Sequence, residues 1–437
     1  MIGQVIFGVL LIAGAVLFGL RVKTIRRNIL LGKDIDRKDR APERWRNMIR
    51  TALGQGKMVN RPVAGILHIV IYVGFVLINI EMLEIVVDGL AGTHRIFSGS
   101  LGGFYNFLIA FFEILGAGVL IACVVFLIRR NVLRIRRFHL AEMTNWPKSD
   151  ANIILVWESL LMFAFLSMNA CDFAIQQISG EGSISFPVSK YLAGMYGDDV
   201  HTLHLIERFM WWFHIVGVIG FAVYVTYSKH LHIFLAFPNT YYANLEPYGR
   251  FNNMEAVKKE VQLMMDPNAD PFAAPAPAEG EQPGRFGARD VTDLTWKQLL
   301  DAYTCTECGR CSSECPANQT GKKLSPRKIM MDTRDRVELV GKQLGKDGQP
   351  VDDGKALLGD YITEEEVWAC TSCNACVEAC PVNIDPLSII VDLRRYLIME
   401  ESKSPESITV MFNNIENNGA PWAFSAMDRD KWKEELL

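Results

Sequence analysis

Two short stretches decide the fold of the second half of this chain: CTECGRCSSECP at 305–316 and CTSCNACVEACP at 370–381. Each has the pattern C-x2-C-x2-C-x3-C-P, the spacing with which bacterial two-cluster ferredoxins bind [4Fe–4S] clusters. Three thiolates on one short segment reach three irons of a cluster, whereas the fourth cysteine already turns into the next helix and reaches the neighbouring cluster. The spacing therefore predicts two [4Fe–4S] clusters with crossed ligation. Cluster 1 is assigned to Cys305, Cys308, Cys311 and Cys380, and cluster 2 to Cys370, Cys373, Cys376 and Cys315.

Zinc sites are the alternative explanation for these eight cysteines. Zinc needs only four ligands, and its sites generally use C-x2-C pairs separated by a longer gap. The doubled motif, with a proline after each fourth cysteine, favours iron–sulfur instead. Metal binding in a reducing compartment also explains a chain of ten cysteines without disulfides. The two remaining cysteines, Cys123 and Cys171, are expected to be core residues of apolar segments.

The interval between the motifs indicates a helical domain. In a small ferredoxin the two motifs lie close together, whereas here 54 residues separate Cys315 from Cys370. The insert contains LSPRKIMMDTRDRVELVGKQL, in which Ser325 is a candidate N-cap and Pro326 a first-turn residue. Another helix is expected before the first motif, with Thr292 as its N-cap.

The first half of the chain is predicted to lie in a membrane. Half of the residues are hydrophobic although 22% are charged, which suggests one apolar and one polar half, and the net charge of −4 gives no reason to expect nucleic acid. Five apolar stretches are each about as long as the ~20 residues that cross the hydrocarbon core. They lie at about 3–20, 63–87, 104–128, 153–170 and 205–227. The first is expected to be a retained helix and not a cleaved signal peptide, because a basic n-region and a small-residue cleavage site are missing.

Basic residues in the connecting loops predict the orientation. The loop 21–61 has thirteen Lys or Arg and the loop 129–150 has six, whereas the loops 88–103 and 171–204 have one each. The two basic loops are therefore expected on the cytoplasmic side of a bacterial inner membrane. An odd number of spans then places the N-terminus outside and the chain after about residue 228 in the cytoplasm.

Composition divides the chain into four segments. Residues 1–235 are the predicted membrane domain and residues 290–400 the predicted dicluster domain. Between them, 236–289 is expected to be a linker or surface strap, because much of it is rich in Pro, Ala and Gly without apolar periodicity. Residues 401–437 form a C-terminal extension. The predicted fold class is all-α, a five-helix transmembrane bundle followed by an α-helical ferredoxin-like dicluster domain.

Ionisable residues inside the spans are functional candidates, because charge at membrane depth is costly. Glu113 and Glu158 are candidates for quinone protonation, or alternatively for pairing with an arginine. For Glu81 and Glu84 a position at the outer interface is the simpler explanation.

Taken together, these motifs resemble a known family. The two cysteine motifs, with LSPRKIMMDTRD between them, resemble the small iron–sulfur subunit of heterodisulfide reductases. NRPVAGILHIVIYVGF and HIVGVIGFAVYVTYSKHLHIF resemble the five-helix cytochrome b subunit of nitrate reductases and the heterodisulfide reductase membrane subunit. The resemblance covers nearly the whole chain as a fusion. Many relatives continue into a CCG-type cysteine-rich domain that performs substrate chemistry, and the resemblance implies that a separate subunit supplies it here.

The same resemblance implies heme b, bound by histidines of the second and fifth spans. The candidate ligands are His68, His214, His230 and His232. By depth in the membrane, His68 matches His230 or His232 better than His214, but the pair His68–His214 stays open. Each of these histidines can instead be a hydrogen-bonded core or boundary residue. A second heme is not favoured, since the second span has Ile78 and Asn79 where a further histidine would be needed.

These features predict a membrane-bound electron-transfer subunit of a quinone-linked oxidoreductase in a respiratory chain. Electrons are expected to pass between a cytoplasmic partner (a CCG-domain protein or a flavin dehydrogenase), the two clusters, heme b, and menaquinone or ubiquinone. Substrate chemistry is expected on the partner, because no nucleotide-binding glycine motif follows a strand. One alternative is a quinol-driven reductase of disulfides or sulfur compounds. Another is a docking subunit with structural clusters and no heme.

Overall fold

The structure, a computed structural model, describes residues 1–180, 184–268, 285–434 and 436 of the 437. The described residues form helices and isolated bridges but no β-strand, so the all-α prediction is confirmed for them. The helices of the N-terminal half are α1 (Ile2–Ile29), α2 (Ala41–Met48), α3 (Pro62–Ala91), α4 (Gly103–Asn131), α5 (Trp146–Ser179), α6 (Val200–Val225) and α7 (His232–Tyr241). Those of the C-terminal half are α8 (Glu255–Met265), α9 (Trp296–Thr304), α10 (Arg310–Glu314), α11 (Pro326–Lys342), α12 (Glu364–Trp368), α13 (Ala375–Ala379), α14 (Pro386–Met399) and α15 (Glu406–Asn418).

Five helices, α1, α3, α4, α5 and α6, are long and apolar enough to cross a membrane, as predicted. Most are longer than the apolar stretches in the sequence, because polar residues continue the helix beyond the hydrocarbon. Much of their apolar surface faces outward, and Ile2, Val9, Ile121 and Leu205 are all exposed. A helix satisfies its own backbone hydrogen bonds, so lipid can cover such a surface without cost. The protein is therefore a membrane protein.

Glycines allow the spans to approach one another closely. A Cβ atom on Gly74 of α3 would lie 2.4 Å from Val119 Cγ2 of α4, and one on Gly14 of α1 would lie 2.4 Å from Ile219 Cγ2 of α6. Because lipid tails are as apolar as side chains, contacts of this kind supply much of the free energy that holds membrane helices together.

The cysteine-containing region packs directly on the ends of the spans. The last turns of α1 contact α9 and α11: Asn28 Nδ2 donates to the Tyr303 hydroxyl over 2.9 Å, and Arg27 donates to the Gly341 carbonyl over 2.6 Å. One hydrophobic core crosses the junction and includes Ile25, Ile154, Val225, Leu299 and Leu393. The region therefore lies on the side of the membrane where the two basic loops emerge.

Two helix starts in this region follow local capping rules. Ser325 accepts a hydrogen bond from Lys328 N, and Pro326 occupies the first turn of α11, as predicted. The predicted N-cap Thr292 is wrong. Thr295 caps α9 in its place, because its hydroxyl accepts from Gln298 N while the Gln298 side chain accepts from Thr295 N.

The segment between the spans and the cysteines is partly helical. Helix α7 continues from the proposed membrane domain to Tyr241, and α8 covers Glu255–Met265. Residues 269–284, which include most of the Pro- and Ala-rich sequence, lie outside the described residues. The proposed extension 401–437 contains α15.

Substituting Gly74 by valine should destabilise the bundle by about 1–3 kcal/mol, because overpacking forces side chains or backbone to shift. Gly19 of α1 is the matched control, since a Cβ there would meet nothing within 4 Å. Thermal unfolding of both variants in detergent, followed by circular dichroism, measures the difference. Equal losses for Gly74→Val and Gly19→Val would contradict the close packing of α3 against α4.

Candidate metal centres

Five cysteines from both motifs line one cavity in the dicluster region. Cys305, Cys308 and Cys311 come from the first motif, and Cys380 comes from the second. Cys376 of the second motif lines the same cavity, so the second set of thiols lies next to the first. The structure thus brings together the four thiols that the spacing assigns to cluster 1.

Both motifs bend the backbone in the same way. Glu307 and Ser372, two residues after the first cysteine of each motif, have positive φ angles of 54° and 56°. Gly309 and Asn374 follow with φ of 70° and 61°. Left-handed residues are tolerated only where the surroundings require them, and here they curl each loop around its cysteines. Each loop then enters a short helix, α10 or α13, whose C-cap is the fourth cysteine of the motif.

The second set of thiols contains the last cysteine of the first motif. Cys315 lies within electrostatic range of Cys370 and Cys376. Cys373 neighbours Cys370 and is the exposed member of this set. The fourth cysteine of each motif therefore lies with the first three of the other motif. This arrangement supports crossed ligation, which we keep as a proposal.

The chemistry of both sets fits [4Fe–4S] clusters better than single metal ions. Each set brings together thiols of both motifs, as clusters with four cysteine ligands require. Burial raises the pKa of Cys305 and Cys380 to about 12, and a cationic centre would compensate the desolvated thiolates. Backbone N–H groups already point at sulfur, from Ile384 to Cys380 Sγ (3.3 Å) and from Ser372 to Cys370 Sγ (3.4 Å). Hydrogen bonds of this kind tune cluster potentials.

Glu307 connects the first cysteine loop to the membrane half of the protein. Its side chain is buried and accepts hydrogen bonds from Lys229 and from Arg334, the latter over 2.8 Å. Lys229 follows α6 and precedes the candidate histidines His230 and His232 in the chain. The ion pair therefore fixes the histidine segment relative to the cysteine loop.

His68 and His232 face each other, with ring centroids 6.3 Å apart. A histidine nitrogen binds a transition metal at about 2 Å, and the ring centre lies about 1 Å beyond it, so two imidazoles on opposite sides of one iron are about 6 Å apart. His232 Nδ1 lies 3.1 Å from the Lys229 carbonyl, which leaves Nε2 for a ligand. His68 Nδ1 is buried and has no hydrogen-bond partner among the described residues. The pair fits a heme b iron.

His214 lies apart from this pair. Its Nδ1 is 3.0 Å from the Leu161 carbonyl, and its ring packs at 6.2 Å from that of Phe165. It precedes the end of α6 by about three turns and so lies about 16 Å from that end, whereas His68 lies about 9 Å from the start of α3. The contacts described for it include none of the other three candidate histidines.

Glu158 lies beside the histidine pair. Its Oε1 is 3.4 Å from His230 Nε2, and its Oε2 accepts from the Cys123 thiol over 3.3 Å. The His230 ring packs at 5.5 Å from the rings of both Phe221 and His232. A carboxyl group and an imidazole in this arrangement can hold and pass a proton next to the proposed heme.

Glu113 has a different environment. It accepts hydrogen bonds from Val188 N (2.8 Å), Ser189 N (3.3 Å) and Asn169 Nδ2 (3.4 Å). These bonds tie the loop before α6 to the bundle, which explains a buried carboxylate without a quinone.

Glu81 and Glu84 are buried within the protein. Glu84 accepts from the Tyr105 hydroxyl over 2.7 Å and from Phe97 N over 3.0 Å. Glu84 thus fastens the loop after α3, a structural role of the same kind as that of Glu113.

Sequence reasoning missed several charged residues around the cysteines. Lys229 and Glu307 pair only through the fold, although an acidic residue inside a cysteine loop is a recognisable signal. Arg310 and Arg327 line the first cavity, and Arg137 comes from a loop of the membrane half. The basic residues of the loop 129–150 indicate orientation in the sequence, and the sequence alone does not show that Arg137 reaches the first cysteine loop.

Changing Cys315 to serine should remove the cluster that the second motif binds and leave the other cluster largely intact, because Cys315 lies with Cys370 and Cys376. Iron content should fall by about half, and one of two electron paramagnetic resonance signals should persist in the dithionite-reduced protein. Cys171→Ser in α5 is the control and should keep both clusters. Selective loss of the cluster bound by Cys305, Cys308 and Cys311 would contradict crossed ligation.

Comparison with known proteins identifies the cysteine region directly. The 4Fe-4S dicluster domain family matches residues 304–384. The ferredoxin/F(420)H(2)-dependent heterodisulfide reductase of Methanosarcina acetivorans has a C-type subunit that is 32% identical over 27% of this chain and 60% of its own length. The "Probable membrane-anchored ferredoxin" of Chromohalobacter salexigens is 33% identical over 35% of this chain and 24% of its own length. No solved structure matches.

Two relatives match nearly the whole chain. "Probable iron-sulfur-binding oxidoreductase FadF" of Bacillus subtilis is 28% identical over 96% of this chain and 59% of its own length. "EtfAB:quinone oxidoreductase" of Syntrophomonas wolfei is 28% identical over 93% of this chain and 56% of its own length. The chain thus spans somewhat more than half the length of these relatives. It is a homologue of iron–sulfur oxidoreductases and of heterodisulfide reductase C-like subunits, with a 4Fe–4S dicluster domain attached to five membrane helices.

Proposed function

We propose that this protein is the membrane electron-transfer subunit of a quinone-linked oxidoreductase in a respiratory chain. It would relay electrons between a cytoplasmic partner, two [4Fe–4S] clusters, heme b and the quinone pool, menaquinone or ubiquinone. The observation that carries the proposal is the ion pair that fastens the first cysteine loop to the segment containing His232, whose ring lies 6.3 Å from that of His68. Lys229 and Glu307 form this ion pair. Lys229 directly precedes His230 in the chain, and Glu307 lies between Cys305 and Cys308.

The protein's own residues hold the carriers in a fixed order. Cys305, Cys308, Cys311 and Cys380 would bind the cluster nearer the spans, and His68 and His232 would bind the heme iron. When bound, these groups supply one-electron redox chemistry. The Lys229 carbonyl lies 3.1 Å from His232 Nδ1, which leaves Nε2 for the iron. Such a second hydrogen bond fixes which histidine nitrogen is free to bind iron.

Quinone chemistry needs protons as well as electrons. Glu158 and His230 form a buried pair next to His232, and we assign proton transfer at the quinone to Glu158. Glu113 is the weaker of the two predicted candidates, because three donors of the protein already occupy its carboxylate.

The orientation follows from the basic loops. The dicluster region contacts the loops 21–61 and 129–150, for example through the bond from Arg327 to the Arg137 carbonyl, 2.6 Å long. Lys- and Arg-rich loops stay on the cytoplasmic side. The N-terminus would therefore lie outside the inner membrane, and the clusters would face the cytoplasm.

The partner is proposed from the relatives. The name of the Syntrophomonas wolfei protein pairs EtfAB with quinone, so a donor of the EtfAB type fits this chain, alongside a flavin dehydrogenase or a CCG-domain subunit. The similarity to the C-type subunits of heterodisulfide reductases favours a second candidate, in which quinol supplies electrons to a disulfide-reducing partner. In both cases the relay within this chain is the same, and only its direction differs.

Substituting His68 or His232 by alanine should abolish the heme spectrum, since both residues would hold the heme iron. The purified protein should show sharp α and Soret bands that shift on reduction with dithionite, and these bands should be lost in both variants. His214→Ala is the matched control and should keep them, because His214 lies away from the pair.

A wild-type protein that shows only the broad iron–sulfur shoulder would contradict the heme pathway and favour the docking subunit. Loss of the bands in His214→Ala, with the protein still folded, would move the ligand assignment to His68–His214.

Glu158→Gln should slow the reduction of the heme by a menaquinol analogue about a hundredfold, because general acid–base groups contribute on the order of 10²–10⁴ to proton-coupled steps. The measurement is stopped-flow absorbance of the oxidised protein in detergent. Glu113→Gln should leave the rate within about threefold and lower thermal stability. Equal rates for Glu158→Gln and the wild type would remove Glu158 from the proton path.

A further inference from the structure

Two arginines next to the first cysteine cavity, the buried Arg310 and the partly buried Arg137, form no ion pair with a carboxylate among the described residues. Arg310 lines the cavity and donates to the carbonyls of Lys57 (3.1 Å) and Met58 (3.3 Å) and to Met58 Sδ (2.8 Å). Arg137 packs over Phe138, and its buried Nε has no hydrogen-bond partner in the described part of the chain. No ion pair joins either guanidinium to an acid among the described residues. A buried charge without a counter-charge is strongly unfavourable.

Both arginines lie at the first cysteine loop, since Arg310 belongs to it and a Cβ atom on Gly309 would lie 3.4 Å from Arg137 Cβ. Arg137 lies within electrostatic range of Cys308, and Arg310 of Cys308 and Cys380. Burial, together with the nearby Arg61, lowers the pKa of Arg137 to about 10, which still leaves it protonated at neutral pH. Both cations therefore act on the thiolates proposed to hold cluster 1.

The other charged groups around this cavity largely cancel. Arg327 pairs with Glu142 over 2.7 Å, and Arg61 pairs with Glu314 over 2.8 Å. Glu307 is held by Lys229 and Arg334. The first two pairs are neutral, and the group around Glu307 adds no negative charge. The net charge near cluster 1 is therefore positive, and Arg137 and Arg310 are its main source.

The surroundings of the second set of thiols are close to neutral. Arg394 donates to the carbonyls of Val367 and Cys370 and to the Ser372 hydroxyl, so it also lacks an acidic partner. Asp385 offsets it, because its carboxylate acts on Cys376. The Asp385 carboxylate accepts a hydrogen bond from Ser388 N over 3.0 Å, which favours its charged form.

Exposure to solvent would instead raise the potential of cluster 2, because water stabilises the added negative charge of a reduced cluster. In the second set this effect reaches mainly Cys373, the exposed thiol. At the first set Arg310 is buried and Arg137 is partly buried, so the effective dielectric constant around them is lower and their charges interact more strongly than they do in water. These two charges should outweigh the hydration of one ligand.

We propose that Arg137 and Arg310 set the order of the two cluster potentials, so that a single reducing electron resides on the cluster nearer the membrane helices. The transfer oxidises cluster 2 by one electron and reduces cluster 1 by one electron, with no bond or proton involved. This inference rests on the proposed function, since it requires both clusters to be bound as assigned. Arg137 and Arg310 are positioning residues that act through charge, and their contribution makes electron flow towards the membrane half favourable.

The test is a redox titration of the full chain in detergent, with the two cluster signals followed by electron paramagnetic resonance. Cluster 1 should have the higher potential in the wild type. Arg310→Gln and Arg137→Gln should each lower the potential of cluster 1 so that the cluster-to-cluster equilibrium shifts about tenfold, or about 59 mV for one electron. Arg137→Lys keeps the charge and should restore most of the wild-type value.

Two further variants complete the design. Arg394→Gln should lower the potential of cluster 2 and widen the difference. Arg395→Gln is the matched control, because Arg395 is paired with Asp392 over 2.9 Å, and it should shift neither potential. A wild-type protein in which cluster 2 has the higher potential would overturn the proposal, as would unchanged potentials in both Arg137→Gln and Arg310→Gln.

Failure of this inference can be told apart from failure of the proposed function. The titration uses dithionite and mediators, so it needs neither quinone nor partner. Two intact clusters with unchanged potentials would overturn the role of the arginines alone. A wild-type chain without two iron–sulfur clusters would overturn the ligand assignment, and this inference with it.

Discussion

The ion pair between Lys229 and Glu307 holds the two halves of this protein in register. Glu307 lies between two cysteines, and Lys229 lies beside the histidines that follow the last span. Both charges are buried, so the loss of either partner would leave an uncompensated charge. Arg334 adds a second bond to the same carboxylate. A relay of redox centres requires fixed distances, and a loop and a helix end that share buried charges cannot drift apart without exposing them.

Basic residues in the loops have two roles in this structure. The asymmetry of Lys and Arg between the loops predicts orientation, yet several of these residues also bind the dicluster region. Arg27 donates to the Gly341 carbonyl, and Arg61 pairs with Glu314. Arg137 lies against the first cysteine loop. The loop charge that would orient the spans is thus also the charge that surrounds the proposed cluster.

Patterns that depend on local sequence were predictable, and contacts between distant segments were not. The five spans, the helix that starts at Ser325 and the dicluster domain follow from apolar length, capping residues and cysteine spacing. Thr292 was a wrong N-cap, because Thr295 has a glutamine three residues later with which it forms a capping box. The choice among four histidines needed the fold, since only packing shows that His232, and not His214, faces His68.

Polar groups are buried at both ends of the spans. At the end away from the cysteine loops, Glu84 and Glu113 accept bonds from loop backbone, and Arg95 pairs with Asp172 over 2.8 Å. At the end on which the dicluster region packs, His68 Nδ1 is buried without a partner, and Glu158 meets only a thiol and an imidazole among the described contacts. Buried polar atoms are costly when unsatisfied, so groups of this kind persist where a ligand completes them. Unpartnered buried atoms also occur away from the cysteine loops, at Glu81 Oε2 and Ser189 Oγ among the described residues, whereas His68 Nδ1 at the dicluster end belongs to a proposed heme ligand. Electrons would then have a short path between the clusters and the membrane.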